Sequence, residues 1–560
     1  QDIEPLLACD YDYIFLIGVF EYAQSYIGGD DPFATFMGIM QKHLSPNGRL
    51  VIAIENRLGL KYWAGCREDH LGTYFDGIEG YPNGGGVRTF TRAALEKICR
   101  KNGITEYSFY YPYPDYKFMT CLYSDARLPK VGELSDNMRN FDGDRLRLFD
   151  EKHVFDGLIR EGLFPWFSNS YLLMTGKELP VIYSRFSNDR APEYAIRTEI
   201  RRDTEAEGEA LTVRKIPATQ AAVPHVRQLL EKGRKLEEAY GGSGLMINRC
   251  ALEGDEAVFE YLSGRTLEEL LDECLERGDA AGFEKLFTAY CDMVQYPEKA
   301  AIYNYDLIFS NIIITEAGWN LIDYEWVFDG SIPPEYMITR ALQCYSFGSE
   351  KRKQICRQLL QKKFGYGDWE IGEIAWKEKE FQKYSTGKRM SMAEIRDAID
   401  WPIVPVLTLN HRYLDERSRN CIQIYEDHGA GFMESQSYIL HAGYQERELL
   451  TVEIEGKPGV HAVRLDPARD FCIVRVPVFR AGMQTVSLRD RGITVNGTFL
   501  ADDMILFATD DPGITILHPG RNLHIELEVS RISRQVAECM EYDLAEKDRT
   551  WFKGLKWFSK

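Results

Sequence analysis

One short motif, Asn304 to Asn311, constrains the fold of this chain more than any other. Asp306 and Asn311 lie five residues apart, and Asp323 follows behind a short apolar strand. One carboxylate can orient an attacking hydroxyl, while an Asn and a second carboxylate can hold Mg²⁺ on phosphates. The spacing therefore predicts phosphoryl transfer, with Asp306 as the catalytic group and Asn311 and Asp323 as the metal ligands.

Upstream residues extend this pattern back to Lys215. The motif resembles the catalytic and metal loops of the protein-kinase-like fold, most closely the aminoglycoside and choline kinase branch. The resemblance implies ATP and Mg²⁺ as cofactors, with Lys215 on the phosphates and Glu231 paired with that lysine. It also implies that the stretch 259–267, which includes Glu260 and Leu262, is the hinge that holds the adenine.

The chain departs from this family in two places. Asn304 stands where the family usually has a His two residues before the catalytic Asp, and no glycine-rich loop precedes Lys215. Two other interpretations stay open. Asp306 and Asn311 could only cap turns, or the domain could bind nucleotide without catalysing transfer.

The first part of the chain alternates strand, helix and strand, over residues 13–17, 32–43 and 49–54. The run 13–17 is too apolar for a strand with one solvated face, so it predicts a central strand of an α/β sheet. Residues 12–22 and 44–56 resemble the fourth and fifth strands of class I S-adenosylmethionine-dependent methyltransferases. Ligands of open α/β sheets bind beyond the carboxyl ends of the strands. This places Glu21, Tyr22, Glu55 and Asn56 at the candidate site, with Glu21 and Tyr22 binding the cofactor.

The glycine-rich turn and the ribose-binding acidic residue of that family are missing from this sequence. We therefore expect a domain that lacks its first strands, and S-adenosylmethionine as a cofactor of a longer protein. Ordinary packing of a Rossmann-like sheet is the other interpretation.

A long polar and glycine-rich stretch, residues 57–90, follows the second strand. Loops of this length inside a compact domain are usually functional. We expect Arg57, Lys61 and Arg88 to bind an anionic or phosphorylated acceptor, and His70 to act as a base. A purely structural role for His70 is the alternative.

Composition excludes several classes of protein. The formal net charge of −19 disfavours duplex nucleic acid as a partner. The twelve cysteines contain no C-x-x-C pair, which indicates a reducing cytoplasm and neither a zinc ribbon nor a disulfide scaffold. No apolar run is long enough to span a bilayer.

Short alternating strands with turn dipeptides occupy residues 449–532, which predicts a β-sandwich. Together with residues 427–432, this part resembles accessory modules of bacterial surface-polysaccharide enzymes, so binding or scaffolding is expected of it. Four aromatic and three lysine residues in the tail 551–560 are typical of an interfacial anchor. A tail that docks on the protein is the alternative.

The expected fold class is multidomain: an α/β Rossmann-like part, an α+β kinase-like domain and a C-terminal all-β sandwich. We assign residues 1–127 to the methyltransferase-like domain, 128–165 to a linker and 166–420 to the kinase-like domain. Residues 421–533 form the sandwich, and residues 534–560 form a helical, amphipathic tail.

This domain order resembles the methyltransferase–kinase fusions of bacterial O-antigen synthesis. The resemblance implies a transferase that methylates and phosphorylates a surface glycan or lipid-linked glycan. We expect a cytoplasmic protein, either free or peripheral at the inner face of the plasma membrane beside glycosyltransferases. Two rivals stay open: a methyltransferase with an inactive kinase-like recognition domain, and a non-enzymatic scaffold of glycan assembly at the membrane.

Overall fold

The computed structural model of this 560-residue chain describes residues 4–84, 86–134, 137, 144–202, 210–296, 302–391, 394–395, 398, 402–517 and 520–555. The chain divides into two compact units, residues 1–404 and residues 405–560. Both units contain sheets, and most of the described helices belong to the first. The protein is therefore multidomain with mixed α/β content, as the sequence predicts.

A ten-stranded sheet is the backbone of the first unit. Its strands follow the order β1-β2-β6-β3-β4-β7-β8-β9-β12-β11. Their bounds are β1 Tyr11–Ile17, β2 Leu44–Glu55, β3 Tyr107–Tyr113, β4 Cys121–Ser124, β5 Arg145–Arg147, β6 Ser170–Thr175, β7 Val181–Phe186, β8 Ile196–Arg202, β9 Leu211–Pro217, β10 Leu245–Ile247, β11 Cys250–Glu253 and β12 Glu256–Glu260, with β5 and β10 outside this sheet.

Parallel pairing occurs at one end of this sheet, where β1 and β2 run side by side. The next strand, β6, is antiparallel to both β2 and β3, and the pairs from β3 to β11 are all antiparallel. The sheet thus crosses the boundary that the sequence placed at residues 128–165. That segment contains β5 and a helix and is more than a linker.

Smaller sheets complete the first unit. A four-stranded sheet has the order β10-β16-β15-β13, and β14 pairs with β17. The bounds of these strands are β13 Arg265–Thr266, β14 Ile302–Asn304, β15 Ile312–Thr315, β16 Gly318–Leu321, β17 Val327–Asp329 and β18 Ile403–Pro405.

The α-helices of the first unit whose bounds the described residues give are α1 Ala23–Tyr26, α2 Pro32–Lys42, α3 Leu60–Trp63, α4 Arg92–Lys101, α5 Glu151–Arg160, α6 Phe164–Phe167, α7 Val223–Tyr240, α8 Leu267–Arg277, α9 Ala280–Gln295, α10 Pro334–Ser346, α11 Glu350–Phe364 and α12 Asp368–Thr386. Local sequence fixes their ends. Asp31 caps α2 by accepting from the amide of Ala34, and a capping box of Thr266 and Glu269 begins α8.

Two apolar cores flank different parts of the large sheet. One gathers side chains of the first half of the unit, including Leu50 and Ile52 of β2 and Leu95 of α4. The other gathers side chains from α7 to α11, including Leu236 and Leu342. The segment around Asp306 and the strands β1 and β2 therefore belong to one unit but to separate cores.

The strand β1 does not occupy the central position that its sequence predicts. It pairs with β2 alone among the described strands and forms an end of the sheet. Tyr13, Phe15 and Ile17 on one of its faces are more than half exposed. The prediction of a strand buried on both faces was wrong because the described chain supplies no element for that face or that edge.

Two antiparallel sheets build the second unit, in the orders β20-β19-β22-β28-β25 and β21-β29-β23-β27-β26, with β24 paired to β23. Both sheets contribute to one apolar core, for example through Ile424 and Val452. The bounds are α13 Val406–Arg419, β19 Cys421–Asp427, β20 Ser437–Ala442, β21 Leu449–Ile454, β22 Ala462–Asp466, β23 Cys472–Ala481, β24 Gln484–Thr485, β25 Ile493–Val495, β26 Thr498–Ala501, β27 Met504–Phe507, β28 Ile514–Leu517, β29 Leu523–Arg531 and α14 Arg534–Leu555.

The predicted tail anchor is described only in part. The helix α14 ends at Leu555, and residues 556–560 lie outside the described residues. None of the described helices combines the length and the apolarity needed to cross a membrane.

Two isoleucines of the large sheet test the position of β1. Ile52 is fully buried, whereas Ile17 is 59% exposed. We expect Ile52→Ala to destabilise the first unit by about 3 kcal/mol through the cavity that it leaves. Ile17→Ala should change stability by less than about 0.5 kcal/mol. Calorimetric unfolding of both full-length variants measures this, and an equal loss in Ile17→Ala would contradict an exposed face of β1.

Candidate functional site

A buried lysine organises the first of two polar clusters in the first unit. Lys215 lies on β9, between Thr198 of β8 and Ala257 of β12, and its side chain is 5% exposed. Its Nζ lies 2.8 Å from Oδ1 of Asp323 and also contacts Glu325. Burial opposes the ammonium charge, but the two carboxylates outweigh it and raise the pKa of Lys215.

Glu325 is the most enclosed member of this cluster, with 3% of its side chain exposed. Arg190 donates to Oε2, and Nε2 of His225 lies 3.6 Å from the same oxygen. The backbone carbonyl of Glu325 accepts from Lys232. Burial would favour the neutral acid, yet Lys215 and Arg190 hold the pKa of Glu325 well below its ordinary value.

The predicted catalytic loop is tied to the same segment. The amide of Trp326 donates to Oδ2 of Asp306 at 3.1 Å. Nδ2 of Asn311 donates to the backbone carbonyl of Asp306 at 3.0 Å, and the amide of Ile322 donates to the carbonyl of Asn311 at 3.0 Å. The structure therefore brings Asp306, Asn311 and Asp323 together.

The environment of Asp306 separates its chemistry from that of Asp323. Burial raises the pKa of Asp306 to about 7, and the charges of Asp323 and Glu325 add to this effect. Asp323 keeps 35% of its side chain exposed. One carboxyl can thus exchange a proton near neutral pH, while the other is open to a cation from solvent.

The predicted partner of Lys215 was wrong. Glu231 lies on α7, where Nη2 of Arg234 donates to its Oε1 at 2.7 Å, and its side chain is 54% exposed. The face of α7 that meets the cluster carries His225 and Lys232 instead. Glu325 takes the predicted role, and its place two residues after Asp323 was the signal that the sequence offered.

The predicted hinge joins β12 to β13. The backbone carbonyl of Glu260 accepts from Nδ2 of Asn248 at 3.0 Å, and the amide of Tyr261 donates to Leu211 at 3.3 Å. The side chain of Glu260 faces solvent, and Leu262 is half-buried. Both residues therefore lie on the connection between the large sheet and α8, and their role in holding adenine stays a prediction.

A second cluster lies beyond the carboxyl ends of β1 and β2. Glu21 follows β1, Glu55 ends β2, and both are fully buried. Nε2 of His70 lies 3.6 Å from Oε2 of Glu55 and 4.0 Å from Oε1 of Glu21. The hydroxyl of Tyr22 lies 3.0 Å from Nδ1 of His70. Three predicted site residues, Glu21, Tyr22 and His70, thus meet around Glu55.

Electrostatics divide the two carboxyl groups of this second cluster. Burial raises the pKa of Glu21 to about 7. Burial also opposes ionisation of Glu55, but nearby His70, Lys61 and Lys117 outweigh it and lower the pKa of Glu55 to about 2. Burial disfavours the charge of His70, while Glu55 outweighs this and raises the pKa of the imidazole.

The three cations predicted to bind an acceptor lie in different surroundings. Nζ of Lys61 contacts Asp69 and Asp115, each at 2.9 Å, so its charge is already compensated. Nε of Arg57 is buried without a hydrogen-bond partner among the described residues. The side chain of Arg88 is exposed, and its amide donates to the carbonyl of Glu21.

A pocket of about 480 Å³ opens beside this second cluster. Gly18 and Tyr22 line it, together with apolar side chains of α1 and α2. A Cβ on Gly18 would lie 3.5 Å from Oε1 of Glu21, so a residue that lines the pocket is also close to the buried carboxylate. Sequence reasoning missed this pocket because it depends on the exposed end of the sheet.

Comparison with known proteins does not assign a function to this chain. No protein-family model matches the chain, and a search of curated proteins finds no match. The two polar clusters, around Lys215 and around Glu55, are therefore the basis for assigning a function.

The raised pKa of Glu21 predicts a pH-dependent cost in stability. The ordinary pKa is 4.5 and the folded value is about 7, so the folded state binds the extra proton between these values. The cost is absent below pH 4.5, grows as the pH rises and is complete above pH 7. Glu21→Gln removes it, so the variant should gain up to about 3 kcal/mol over the parent protein at pH 8 and nothing at pH 4.

Urea unfolding of the first unit at both pH values, in the presence of a chelator, measures this difference. Glu373→Gln serves as a control in the same unit, since 55% of the Glu373 side chain is exposed and it pairs with Lys377. A gain in Glu21→Gln that is the same at pH 4 and pH 8 would contradict the burial of an uncompensated carboxyl.

Proposed function

We propose that this chain transfers the γ-phosphoryl group of ATP to a hydroxyl, at the cluster formed by Lys215, Asp306, Asn311 and Asp323. The observation that carries the proposal is the ion pair between Lys215 and Asp323, on a segment whose Trp326 amide also holds Asp306. A phosphate-binding cation, a metal-binding carboxylate and a proton acceptor then border one site.

The metal-binding residues fit Mg²⁺ by the chemistry of their donors. Asp323 offers a partly exposed carboxylate. The side-chain amide nitrogen of Asn311 donates to the backbone carbonyl of Asp306. This leaves the side-chain oxygen of Asn311 to bind a cation. Mg²⁺ bound there would neutralise charge on the phosphates.

The chain's own groups perform the remaining steps. Lys215, fixed by Glu325, binds phosphate oxygens. Asp306 accepts the proton of the acceptor hydroxyl while the hydroxyl oxygen bonds to the γ-phosphorus. At the same time the bond between the γ-phosphorus and the bridging oxygen breaks, and that oxygen leaves with ADP. The pKa of Asp306, raised to about 7 by burial, suits a group that takes up a proton near neutral pH.

The acceptor that we propose is a sugar hydroxyl of a surface glycan or a lipid-linked glycan. Its support is the order of the methyltransferase-like and kinase-like stretches, which resembles the glycan-modifying fusions. A cytoplasmic protein at the inner face of the membrane accords with this substrate.

Methyl transfer from S-adenosylmethionine is the second candidate function. Its support is the parallel pair β1 and β2, with Glu21, Tyr22 and Glu55 beyond their carboxyl ends and the pocket beside Gly18. With these two functions we also propose that residues 1–127 form a Rossmann-like part and residues 166–420 a kinase-like domain.

Formation of ADP tests the phosphotransferase. We expect the full chain with ATP and Mg²⁺ to release ADP, and monosaccharides or glycan fragments to accelerate release if they are acceptors. Asp306→Asn should lower this rate by about 10²- to 10⁴-fold, because general bases contribute that much. Asp329→Asn is the matched control, since Asp329 is exposed and pairs with Lys235.

ADP release that is equal in Asp306→Asn and the parent protein would contradict the role of Asp306. No ADP from the folded parent protein with any acceptor would favour the rivals, a recognition domain or a scaffold. Methyl transfer retained by such a protein would favour the first of these.

A further inference from the structure

The cluster of Glu21, Glu55 and His70 has the composition of a metal site. One ligand atom from each residue lies within 4.8 Å of the other two. Carboxylate oxygens and a neutral imidazole nitrogen are the ligands that bind Zn²⁺ and related ions. The three residues come from two strand ends and from the loop after β2, so the fold assembles them from distant parts of the sequence.

Their spacing fits one ion. Bonds of about 2.1 Å from zinc to nitrogen and oxygen place two ligands of the same ion about 3.4 Å apart in a tetrahedron and at most about 4.2 Å apart. The two separations from Nε2 of His70, 3.6 Å to Glu55 and 4.0 Å to Glu21, lie in this interval. The third separation, between the carboxylates of Glu21 and Glu55, is at most 4.8 Å, so small side-chain movements bring all three atoms to bonding distance.

The buried polar atoms that lack partners are a second, independent sign of a ligand. Both carboxylate oxygens of Glu21 are fully buried and receive no hydrogen bond from the described residues. Oε2 of Glu55 and Nε2 of His70 are also buried and lack a hydrogen-bond partner among the described residues. Buried carboxylates are normally hydrogen-bonded, because their desolvation is costly. Here Nε2 of His70 lies within 4.0 Å of one unsatisfied oxygen of each glutamate.

Surrounding groups orient these ligands and occupy their other atoms. The hydroxyl of Tyr22 contacts Nδ1 of His70, which leaves Nε2 for the ion. The hydroxyl of Tyr116 donates to Oε1 of Glu55 at 3.1 Å, which leaves Oε2. Such outer contacts fix ligands in metal sites.

Hydrogen bonds within its own loop also hold His70 in place. Oε2 of Glu68 accepts from the amides of His70 and Leu71 at 2.8 and 2.6 Å, and Oε1 accepts from the hydroxyl of Tyr81 at 3.1 Å. His70 is therefore held against the two carboxylates by a buried acidic residue of its own loop.

We propose that Glu21, Glu55 and His70 bind a divalent transition-metal ion, best matched by Zn²⁺. In this role His70 holds the ion and is not the general base that the sequence predicted. The site lies on β1 and β2 and does not depend on the phosphotransferase at β9.

Cobalt binding tests the proposal in the full chain. The protein, freed of metals by a chelator and dialysed, is titrated with Co²⁺ while its visible d–d absorption is recorded, and Zn²⁺ is then added as a competitor. We expect one Co²⁺ per chain, displaced by Zn²⁺. Glu21→Gln and His70→Gln should each weaken binding by at least about tenfold, since even outer contacts contribute that much.

Two controls separate this site from others. His524→Gln removes a histidine that also lies between two glutamates, Glu453 and Glu526, but is 32% exposed and contacts them through different ring nitrogens. It should leave Co²⁺ binding unchanged. Asp323→Asn, in the proposed Mg²⁺ site, should also leave it unchanged, so failure of the phosphotransferase proposal does not affect this result.

Absence of Co²⁺ absorption in the parent protein would overturn the proposal, as would equal affinity in the parent, Glu21→Gln and His70→Gln. Zn²⁺-dependent thermal stabilisation is the second measurement. It should raise the melting temperature of the parent protein and not that of either variant. Stabilisation that persists in both variants would also overturn the proposal.

Discussion

The buried ammonium group of Lys215 is the interaction on which the first polar cluster depends. An unpaired charge at that position would cost several kcal/mol, so the fold must bring carboxylates to it. Asp323 and Glu325 meet this need from one short segment. Because the neighbouring amide of Trp326 binds Asp306, the same ion pairs also set the position of the proposed catalytic group.

The two polar clusters of the first unit differ in how they compensate the charge of a buried carboxylate. Around Glu325, the chain supplies Lys215 and Arg190 as counter-charges to a fully buried carboxylate. Around Glu21, no described cation lies within ion-pair distance except the imidazole of His70, which Glu55 shares. The carboxylate of Glu325 is therefore compensated by cations of the chain, whereas that of Glu21 has only the shared imidazole of His70.

Sequence reasoning predicted what depends on local pattern. The helix at 32–43 and the strand at 49–54 correspond to α2 and β2, because a cap and apolar periodicity fix them. The grouping of Asp306, Asn311 and Asp323 was also predictable, since a few residues and one short hairpin separate them.

Long-range packing accounts for what the sequence did not reveal. The pairing of Lys215 with Glu325 instead of Glu231 depends on which face of α7 turns toward β9. The exposure of β1 depends on the order of strands in the sheet, which apolar content alone does not encode. Glu21 and Glu55 were each expected at strand ends, but their contact with His70 required the path of the loop after β2.

Calorimetric titration of the full chain with ATP, with and without Mg²⁺, tests the central claim most directly. The comparison is between the parent protein and Asp323→Ala, which removes the carboxylate that Lys215 and the metal would share. The account predicts Mg²⁺-dependent binding of ATP that is lost in the variant. Binding of the same strength in both folded proteins, or none in the parent protein, would contradict a phosphotransferase at Lys215.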